Sequence, residues 1–475
     1  MASYPSLQRL PPLRTRAVTV EGRLFGTDGV RGLANRYPLT PEMASRLGRA
    51  GAELLKGDRP ERGSLVVGRD TRLSGDMLEA AIAAGICSAG VDVIQIGILP
   101  TPAIAYLTRA WDALGGVVIS ASHNPFEDNG IKFFGGDGFK LPDEQEAQLE
   151  RMVRDGAVGQ SPTGRDVGRI RVVADAAESY LAFARRTLGE ELSLAGLRIV
   201  LDCANGAASA VAPQLFAQLG AQVITRGTEP DGININQGCG ALFPEAVQAL
   251  VREQGAQVGF CFDGDADRMI AVDETGAVRD GDYTLGICTR ELVRRGALNP
   301  PYVVGTVMSN YGLEEALQHM GVTLLRAPVG DRYVLDEMRK SGATLGGEQS
   351  GHTVFLAHAT TGDGLITALQ LLRVMRTSGQ PLSRLASVLT KYPQVLLNVR
   401  VRMRTDPLEL PDVREALARA QQTLDGTGRI LVRLSGTEPL ARVMVEGRDA
   451  EAIHAVAYDI AQSIEHAIGQ RDRTE

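Results

Sequence analysis

Short apolar runs rich in β-branched residues alternate with helical patterns along most of the chain, from Gly22 onward. This alternation is typical of β-α-β units built on largely parallel sheets. The predicted strands form three sets, at residues 64–68, 91–97 and 116–120, at 197–202, 221–225 and 257–262, and at 302–307, 322–327 and 352–357. The predicted helices lie at residues 75–90, 208–219, 243–253 and 364–378. The pattern therefore predicts three consecutive α/β domains.

The pattern changes after the Tyr392-Pro393 break. A strand is followed by a helix from Pro411 to about Leu424, two closely spaced strands and a last helix that begins near Asp449. This order predicts a smaller α+β domain. The predicted divisions are an extension at 1–20, α/β domains at 21–176, 177–275 and 276–391, and the α+β domain at 392–475.

Residues 1–20 differ in composition from the rest of the chain. They contain Arg9, Arg14 and Arg16 and no acidic residue, which faintly resembles a transit peptide. Their prolines interrupt any amphipathic helix. We therefore interpret this segment as a disordered extension, or as the product of a start codon placed too early.

The composition is that of an ordinary globular protein. The 475 residues are 44% hydrophobic and 23% charged, which excludes wholesale disorder. The 50 basic and 57 acidic side chains give a net charge of -7, so no general attraction to nucleic acid or to an anionic membrane is expected. An anionic substrate must be held by local groups. Lysine is rare and occurs only at Lys56, Lys132, Lys140, Lys340 and Lys391.

The 5 cysteines are spread along the chain without a C-x-x-C pair. A disulfide framework or a zinc site is therefore not expected. No apolar stretch approaches the roughly 20 residues of a membrane span, and no secretory signal opens the chain. These features favour a reducing, cytoplasmic location.

Small polar residues follow the third predicted strand, in the run Ile-Ser-Ala-Ser-His-Asn-Pro at 119–125. We call this run the serine loop. The carboxyl ends of parallel strands are where α/β folds bind ligands. Ser122 is therefore a candidate nucleophile or phosphate carrier, and Lys132 is a candidate for moving a proton or neutralising a phosphate. A capped turn would explain the residue types but not the isolated lysine.

Three carboxylates, Asp263, Asp265 and Asp267, follow the predicted strand at 257–262, and Arg268 comes next. Carboxylates at i, i+2 and i+4 on a loop of small residues can converge on one divalent cation, whereas without a cation they repel one another. We call residues 263–268 the acidic loop. An EF-hand is excluded because Arg268 replaces the required glycine and because predicted strands flank the loop. A solvated acidic turn is the alternative.

A glycine-rich run, Gly-Gly-Glu-Gln-Ser-Gly-His at 346–352, lies before the predicted strand TVFLA. We call it the recognition loop. Glu348 and Ser350 offer an acceptor and a hydroxyl suited to sugar hydroxyls or an amine. A β-turn with a capping serine explains the same residues equally well.

The run Arg-Leu-Ser-Gly-Thr-Glu-Pro at 433–439, which we call the phosphate loop, combines hydroxyls, a glycine and a guanidinium group. Together with a second guanidinium group at Arg442 it forms a plausible phosphate cradle, with a plain turn as the alternative. A Walker motif is absent because no lysine follows a glycine. Near the start, Phe-Gly-Thr-Asp-Gly-Val-Arg-Gly at 25–32 places Arg31 among glycines that would allow close packing against an anion.

Together, and in this order, these runs closely resemble the α-D-phosphohexomutase superfamily from about Gly22 to the end of the chain. Within it, the motifs are most similar to the branch that acts on glucosamine phosphates. Its further signatures match the runs Gly-Asp-Arg-Tyr at 330–333, Asn-Ile-Asn at 234–236, Cys-Gly at 239–240 and Thr-Gly-Asp-Gly at 361–364. Phosphomannomutases and phosphoglucomutases usually have methionine where this chain has Gln349, and they often have histidine near Asp331.

The resemblance implies three α/β mixed-sheet domains and a C-terminal α+β domain like that of the TATA-box-binding protein, arranged around a central cleft. It implies that Ser122 is carried as phosphoserine and exchanges its phosphoryl group with a sugar phosphate through a 1,6-bisphosphate. The net reaction would interconvert glucosamine 6-phosphate and glucosamine 1-phosphate and feed UDP-N-acetylglucosamine synthesis. Because one site would accept the sugar in two orientations, the resemblance leads us to expect a hinge near residues 390–395. One Mg²⁺ per subunit and a sugar 1,6-bisphosphate would be required.

The resemblance also implies the roles of individual residues. The catalytic residues would be Ser122, Lys132, Arg31 and His352; the metal ligands would be Asp263, Asp265 and Asp267 with phosphorylated Ser122; and the substrate contacts would be Arg268, Glu348, Ser350, Arg433, Ser435, Gly436, Thr437 and Arg442. For His352, a structural role and a role in proton transfer both stay open. His123 is expected to support the serine loop.

Several other functions are compatible with parts of this pattern. A phosphomannomutase or phosphoglucomutase would use the same mechanism on another sugar. A metal-dependent phosphatase would transfer the phosphoryl group to water, and a regulatory sugar-phosphate-binding protein would not turn over at all. The last is disfavoured because Ser122, Lys132 and the three aspartates are all present. A phosphosugar is the expected partner, and the resemblance is compatible with a homodimer and an activating kinase.

Overall fold

The computed structural model describes residues 24–26, 28–57, 59, 62–156, 159–403, 405–424, 426–435 and 439–469. The predicted extension at 1–20 lies outside these ranges. No helix in the described ranges is both long and apolar enough to cross a membrane.

The first sheet has six strands and carries the serine loop. Its strands are β1 (Val30–Leu33), β2 (Ser64–Arg69), β3 (Asp92–Ile98), β4 (Gly115–Ile119), β5 (Asp128–Gly135) and β6 (Ile170–Val172). Its helices are α1 (Pro41–Lys56), α2 (Gly75–Ser88), α3 (Thr101–Ala110) and α4 (Asp143–Asp155). The strand order is β1-β5-β4-β2-β3-β6, with β5 antiparallel to both of its neighbours. The serine loop therefore leaves the carboxyl end of a central strand.

The second sheet carries the acidic loop. Its strands are β7 (Arg198–Asp202), β8 (Gln222–Arg226), β9 (Val258–Phe262), β10 (Met269–Asp273) and β11 (Val278–Arg279). The accompanying helices are α5 (Ala176–Leu188), α6 (Ala208–Gln218) and α7 (Glu245–Gln254). The order is β11-β10-β9-β7-β8, and β9 pairs antiparallel with β10. The acidic loop is the turn between these two buried strands.

The third sheet carries the recognition loop. Its strands are β12 (Tyr302–Thr306), β13 (Thr323–Ala327), β14 (Leu345–Gly347) and β15 (Thr353–Phe355), in the order β13-β12-β14-β15. The helices are α8 (Gly281–Arg294), α9 (Tyr311–His319), α10 (Asp331–Ser341), α11 (Gly364–Ser378) and α12 (Leu382–Leu385). The recognition loop joins β14 to its antiparallel neighbour β15.

The C-terminal unit is antiparallel. Its strands are β16 (Gln394–Arg400), β17 (Gly428–Leu434) and β18 (Leu440–Gly447), in the order β16-β18-β17, and its helices are α13 (Pro411–Leu424) and α14 (Ala450–Ile468). This confirms the predicted fold class of three α/β units followed by an α+β unit.

The apolar cores divide the molecule unequally. One continuous cluster extends across the three α/β units and includes Ile104 of α3, Leu181 of α5 and Leu369 of α11. The C-terminal unit has a separate core around Val443 and Ile460. The α/β units are therefore packed on one another through apolar side chains, whereas the C-terminal unit keeps a core of its own.

Most predicted elements agree with the structure to within two residues. The strand expected at 352–357 is shorter, because the chain pairs with β14 only through Thr353–Phe355. The pattern did not predict every element of the structure. The strands without a prediction are β1, β5, β6, β10, β11 and β14, and the helices without one are α1, α3, α4, α5, α8, α9, α10 and α12. The predicted domain boundaries stay predictions.

Candidate active site

The serine loop and the acidic loop meet at the carboxyl ends of β4 and β9. The Ser122 hydroxyl donates a hydrogen bond to Asp263 Oδ2 at 2.6 Å. Both side chains are buried, with exposed fractions of 1% each. The candidate nucleophile of one sheet is therefore in direct contact with the candidate metal ligands of the next.

Ser122 has a backbone conformation that is unusual for serine. Its φ is 52°, in the left-handed region, which costs about 1–2 kcal/mol for a residue with a Cβ. Its amide donates to Ser120 Oγ at 2.9 Å, and its carbonyl accepts from Asn236 Nδ2 at 2.9 Å. The Ser120 hydroxyl in turn donates to Asp70 Oδ2 at 2.6 Å. The surrounding hydrogen bonds thus hold the serine in a strained but defined position.

Arg72, which the sequence analysis missed, holds the serine loop from beneath. Its guanidinium group is buried and donates to the carbonyl oxygens of Ser122 at 2.8 Å, Asn124 at 2.9 Å and Asp128 at 3.0 Å. Asp70 Oδ2 accepts from Arg72 Nε at 2.9 Å and neutralises its charge. One buried ion pair therefore organises the whole loop. Its sequence signal was a charged run directly after the apolar strand β2.

The three aspartates of the acidic loop converge as predicted. One carboxylate oxygen from each of Asp263, Asp265 and Asp267 lies within 4.8 Å of the others, and all three residues are buried. Asp265 Oδ1 and Asp267 Oδ1 have no hydrogen-bond partner among the described residues. Burial, followed by repulsion from its two neighbours, raises the pKa of Asp263 well above its ordinary value. Burial and the Asp265 charge likewise raise the pKa of Asp267.

This arrangement fits a hard divalent cation. Carboxylate oxygens are the ligands that such cations prefer, and a cation would give the unpartnered oxygens a neighbour and remove the repulsion. The hydroxyl of Ser122 lies at the edge of the same cluster through its contact with Asp263. The residues present thus suit a metal that touches both the acidic loop and a phosphate on Ser122.

Lys132 lies between two carboxylates. Its Nζ is 3.1 Å from Asp265 Oδ2 and 2.9 Å from Asp28 Oδ2. Burial opposes the charged form of the lysine, but the two carboxylates outweigh it and raise its pKa. Burial opposes the ionised form of Asp265 as well, and its pKa is nevertheless lowered by Lys132 and by a hydrogen bond from Thr101 at 2.7 Å. Lys132 is therefore a buried ammonium group in this structure.

Asp28, also missed by the sequence analysis, gathers three cations. Its carboxylate contacts Arg31, Lys132 and Lys140, the last at 2.5 Å. Burial is the largest influence on its pKa, but the three cations together hold that pKa well below its ordinary value. Arg31 additionally donates to the carbonyl of Ala121 at 3.4 Å, which places it beside the serine loop, and its catalytic role stays a prediction.

Lys140 connects the first α/β unit to the third. It contacts Asp28 on one side and Asp331, at the start of α10, on the other. Its pKa is raised because these carboxylates outweigh the effect of burial. Lys140 is one of the few lysines in the chain, and its rarity was the only sequence signal that pointed to it.

Arg268 and His352 join the acidic loop to the recognition loop. Their backbones form an isolated antiparallel bridge, and the Arg268 amide donates to Asp263 Oδ1 at 3.2 Å. The His352 ring is buried, with Nε2 accepting from the Gly362 amide at 3.2 Å and lying 3.7 Å from Asp331 Oδ2. His352 thus lies where the recognition loop meets the acidic loop. Its role in proton transfer stays a prediction.

Glu348 of the recognition loop is buried, and its carboxylate accepts from the Gly330 amide at 2.9 Å and from the Ser350 hydroxyl at 3.3 Å. Ser350 itself is exposed. Gln349 is half-buried, and its amide donates to Asp282 Oδ2 at 3.2 Å, so this side chain is tied to the protein interior.

The phosphate loop follows β17 in the C-terminal unit. Arg433 lies directly opposite Arg442 in the β17–β18 pairing, and both are half-buried. Burial, and secondarily the Arg442 charge, lowers the pKa of Arg433. Ser435 is buried and its amide donates to the carbonyl of Leu440 at 2.7 Å. Gly436 and Thr437 lie outside the described residues.

His123 flanks the nucleophile without competing for its proton. Its Nδ1 lies 3.4 Å from Ser122 Oγ. Burial, followed by the nearby charges of Arg268 and Arg31, lowers its pKa to about 3. The ring is therefore neutral at physiological pH, which agrees with a supporting position.

Sequence models of the phosphoglucomutase/phosphomannomutase family match nearly the whole chain. Its α/β/α domain I matches residues 22–158, domain II residues 178–276, domain III residues 280–392 and the C-terminal domain residues 396–463. The chain belongs to this family. The four family domains match this chain in the order I, II, III and C-terminal domain.

Relatives within the family are similar over almost their full length. A phosphoglucosamine mutase of Desulforudis audaxviator is 57% identical over 444 residues, covering 93% of this chain and 98% of the relative. A phosphoglucosamine mutase of Myxococcus xanthus is 52% identical over 460 residues, covering 97% and 100%.

Solved structures of the family share the fold. A phosphoglucomutase/phosphomannomutase family protein of Burkholderia thailandensis superposes with a TM-score of 0.78 at 25% identity, covering 94% of this chain and 97% of that one. N-acetylphosphoglucosamine mutase of Aspergillus fumigatus, solved with GlcNAc-6P and magnesium, has a TM-score of 0.64 at 17% identity, covering 94% and 96%. At that identity the second likeness concerns the fold alone.

Proposed function

We propose that this chain is a phosphoglucosamine mutase, which interconverts glucosamine 6-phosphate and glucosamine 1-phosphate through phosphorylated Ser122 and a 1,6-bisphosphate. The observation that carries the proposal is the 2.6 Å contact between Ser122 Oγ and Asp263, in which a buried hydroxyl touches a cluster of three aspartates. The identities of 50–57% to named phosphoglucosamine mutases support the amino sugar as substrate. The product would feed UDP-N-acetylglucosamine synthesis.

The phosphoryl group passes from Ser122 to the free hydroxyl of the sugar phosphate. The bond between phosphorus and Ser122 Oγ breaks, and a bond from phosphorus to the sugar O6 or O1 forms. The attacking sugar hydroxyl loses its proton, and Ser122 Oγ gains one. The bisphosphate then presents its other phosphate to Ser122, and the exchange is reversed. No net proton is consumed, because each hydroxyl that is lost is matched by one that is regained.

Asp263, Asp265 and Asp267, together with the phosphate on Ser122, would hold Mg²⁺. When bound, the cation would supply charge neutralisation and orientation to the oxygens of the transferring phosphoryl group. The chain's own contribution is to fix the seryl oxygen at this cluster, which the hydrogen bonds from Arg72 and Asn236 to the serine carbonyl support.

Lys132 serves the transfer as a buried cation. Its raised pKa supports an ammonium group that neutralises the oxygens of the transferring phosphoryl group. Arg31, which contacts the carbonyl of Ala121 in the serine loop, and Arg268 of the acidic loop hold the phosphate by charge-assisted hydrogen bonds.

The two ends of the sugar phosphate are held by different loops. Glu348 and Ser350 bind the sugar through its hydroxyl and amine groups, since they offer acceptors beside a buried loop backbone. The non-reacting phosphate binds at the C-terminal unit, where the cradle comprises Arg433, Ser435, Gly436, Thr437 and Arg442. Because the sugar must bind in both orientations, a phosphate cradle on a separate unit suits the reaction.

Turnover by the purified chain tests this function. The assay compares glucosamine 6-phosphate with mannose 6-phosphate and glucose 6-phosphate, with Mg²⁺ and a trace of sugar 1,6-bisphosphate. We expect a preference for the amino sugar, no turnover in Ser122→Ala and phosphate on Ser122 by mass spectrometry. Preference for mannose or glucose phosphate would contradict the substrate, and release of free phosphate would indicate a phosphatase.

The cytoplasmic location, a homodimer and a priming kinase remain part of the proposal. The bisphosphate alone can phosphorylate Ser122, since its first transfer to the serine leaves a sugar monophosphate. Activation of unphosphorylated protein by sugar 1,6-bisphosphate without any kinase would therefore show that a kinase is dispensable.

A further inference from the structure

The recognition loop packs on the beginning of α8 through backbone contacts. The Gly281 amide donates to the carbonyl of Gln349 at 3.1 Å. A Cβ at Gly281 would lie 1.9 Å from the carbonyl oxygen of Glu348, so only glycine fits there. The loop and the helix therefore have no space to slide past each other at this point.

Asp282, the next residue, ties the side chain of the loop to a second helix. Its carboxylate is fully buried, and Oδ2 accepts from Gln349 Nε2 at 3.2 Å and from the amide of Asn310 at 2.9 Å. Asn310 is the residue that caps α9. One carboxylate oxygen thus links the recognition loop to the N-terminus of α9.

Asn310 continues the link to the predicted hinge. Its buried side chain pairs with both backbone groups of Tyr392, because Oδ1 accepts from the Tyr392 amide at 2.9 Å and Nδ2 donates to the Tyr392 carbonyl at 3.0 Å. The C-terminal unit begins at Gln394 with β16. Tyr392 is therefore held at the point where the chain leaves the third α/β unit.

The C-terminal unit contacts the same residues from its own side. Asn310 Nδ2 lies 3.4 Å from Glu446 Oε1 of β18, and Arg429 of β17 donates to the Ser309 carbonyl at 3.2 Å. Glu446 is fully buried and paired with Arg429 at 2.9 Å. The strand that ends in the phosphate loop, β17, is thus connected to Asn310 by a short polar path.

We propose that Asp282 and Asn310 are positioning residues that couple the recognition loop to the hinge of the C-terminal unit. The inference rests on the proposed function, in which one substrate touches both the recognition loop and the phosphate loop. A buried polar atom that loses its partner is unfavourable. A displacement of Gln349 is therefore transmitted through Asp282 and Asn310 to Tyr392 rather than absorbed locally, and the coupling is reciprocal.

Hydrogen exchange of the full chain, followed by mass spectrometry with and without inorganic phosphate, tests the coupling. Phosphate that occupies the phosphate loop should slow amide exchange at residues 390–395 and also at the recognition loop, 346–352. In Gln349→Met, phosphate should no longer slow amide exchange at the recognition loop. Exchange there in the presence of phosphate should then be about fivefold or more faster than in the wild type, which is the usual size of coupling between two sites. Gln380→Met, the same change at an exposed position, should behave like the wild type.

Two further variants distinguish coupling from direct binding of phosphate at the recognition loop. Arg433→Met weakens the phosphate cradle, so protection should weaken at both segments; protection that persists at the recognition loop would mean direct binding there and would overturn the coupling. Asp282→Ala removes the hydrogen bonds to both Gln349 and Asn310. The double variant with Gln349→Met should lose no more protection from exchange at the recognition loop than Asp282→Ala alone, because the two changes act on one path. Additive effects, or wild-type protection in Gln349→Met, would refute the proposal.

A kinetic measurement on the same proteins separates this inference from the proposed function. Gln349→Met should raise the KM for glucosamine 6-phosphate and leave kcat nearly unchanged, because Ser122 and the acidic loop are not part of the path. If the wild type does not turn over glucosamine 6-phosphate, the proposed function fails, whereas the exchange pattern with inorganic phosphate still decides the coupling.

Discussion

The serine and acidic loops differ sharply from the phosphate loop in how they are held. Ser122 and the three aspartates are buried and belong to units that share one continuous apolar core. Arg433 and Arg442 are half-buried on a unit with its own core. In the proposed reaction, the reacting atoms must stay fixed to well within an ångström, whereas the group that holds the distal phosphate must accept two orientations of one sugar. The chain therefore carries Ser122 and the aspartates in units that share a core, and the proposed phosphate cradle on a unit with a core of its own.

The largest effect is expected where the serine and acidic loops are held, from Arg72→Met. The change leaves buried Asp70 without its cation and several loop carbonyls without donors, so stability should fall by about 3–5 kcal/mol. Denaturant unfolding measures this loss, and residual turnover should fall with it. Arg36→Met, at an exposed arginine, is the control. If Arg72→Met is as stable as that control, the buried contacts of Arg72 do not stabilise the serine loop.

Asp267→Asn should affect activity and stability in opposite directions. Removing one buried like charge should stabilise the metal-free protein, while loss of a ligand should reduce kcat by about 10²–10³-fold, a usual effect for losing transition-state stabilisation. Thermal melts with Mg²⁺ and with a chelator measure both effects, because bound metal raises the melting temperature of the wild type only. Asp155→Asn, which is exposed, is the control. An unchanged response to Mg²⁺ would remove the metal assignment.

Arg433→Met should leave the serine and acidic loops intact. We expect the KM for glucosamine 6-phosphate to rise about 10- to 100-fold, the equivalent of one charge-assisted hydrogen bond to phosphate, with unfolding stability nearly unchanged. Steady-state kinetics and a melt measure the two quantities. Arg400→Met, an exposed arginine of the same unit, should change neither. A fall in kcat with KM unaltered would place Arg433 in the chemistry rather than in the cradle.

The smallest effect concerns pH. Burial raises the pKa of Asp363 to about 7. This residue caps α11, and its two carboxylate oxygens share the one hydroxyl hydrogen of Tyr180, whose oxygen lies 3.0 Å from each. The folded protein then binds a proton more tightly than the unfolded chain, whose carboxyl has a pKa of about 3.9. Stability from this group is therefore full below about pH 4 and is lost as pH rises to about 7, by at most about 1.4 kcal/mol per unit.

Asp363→Asn tests this pH dependence. The variant should lose less stability than the wild type between pH 5 and 7, as measured by the denaturant midpoint. Equal slopes in the two proteins would mean that Asp363 is ionised throughout this range. Asp363 lies next to a residue that supports the acidic loop, because the amide of Gly364 donates to the Ala266 carbonyl at 2.9 Å. The pH dependence therefore concerns the part of the molecule that holds the aspartates.

Much of the site follows from short runs of sequence. The loops that carry Ser122 and the three aspartates each follow a predicted apolar strand, so their position at the carboxyl ends of strands could be predicted from the pattern alone. The loop that carries Glu348 follows β14, for which no strand was predicted. The three aspartates lie two residues apart, and their convergence is a local property of one turn. The aspects that resisted prediction are the partners supplied from far along the chain, such as Arg72 for the serine loop and Thr101 for Asp265.

Local periodicity thus determined the order of elements, the fold class and the chemistry of each loop, because helix and strand patterns and turn residues act over a few positions. Only the tertiary structure decided which charges neutralise one another: that Asp28 gathers Arg31, Lys132 and Lys140, and that Lys140 reaches Asp331 in another unit. Charge pairing depends on distances between segments that are separated by many residues. Packing of the three sheets on a common core sets those distances, and no local pattern encodes them.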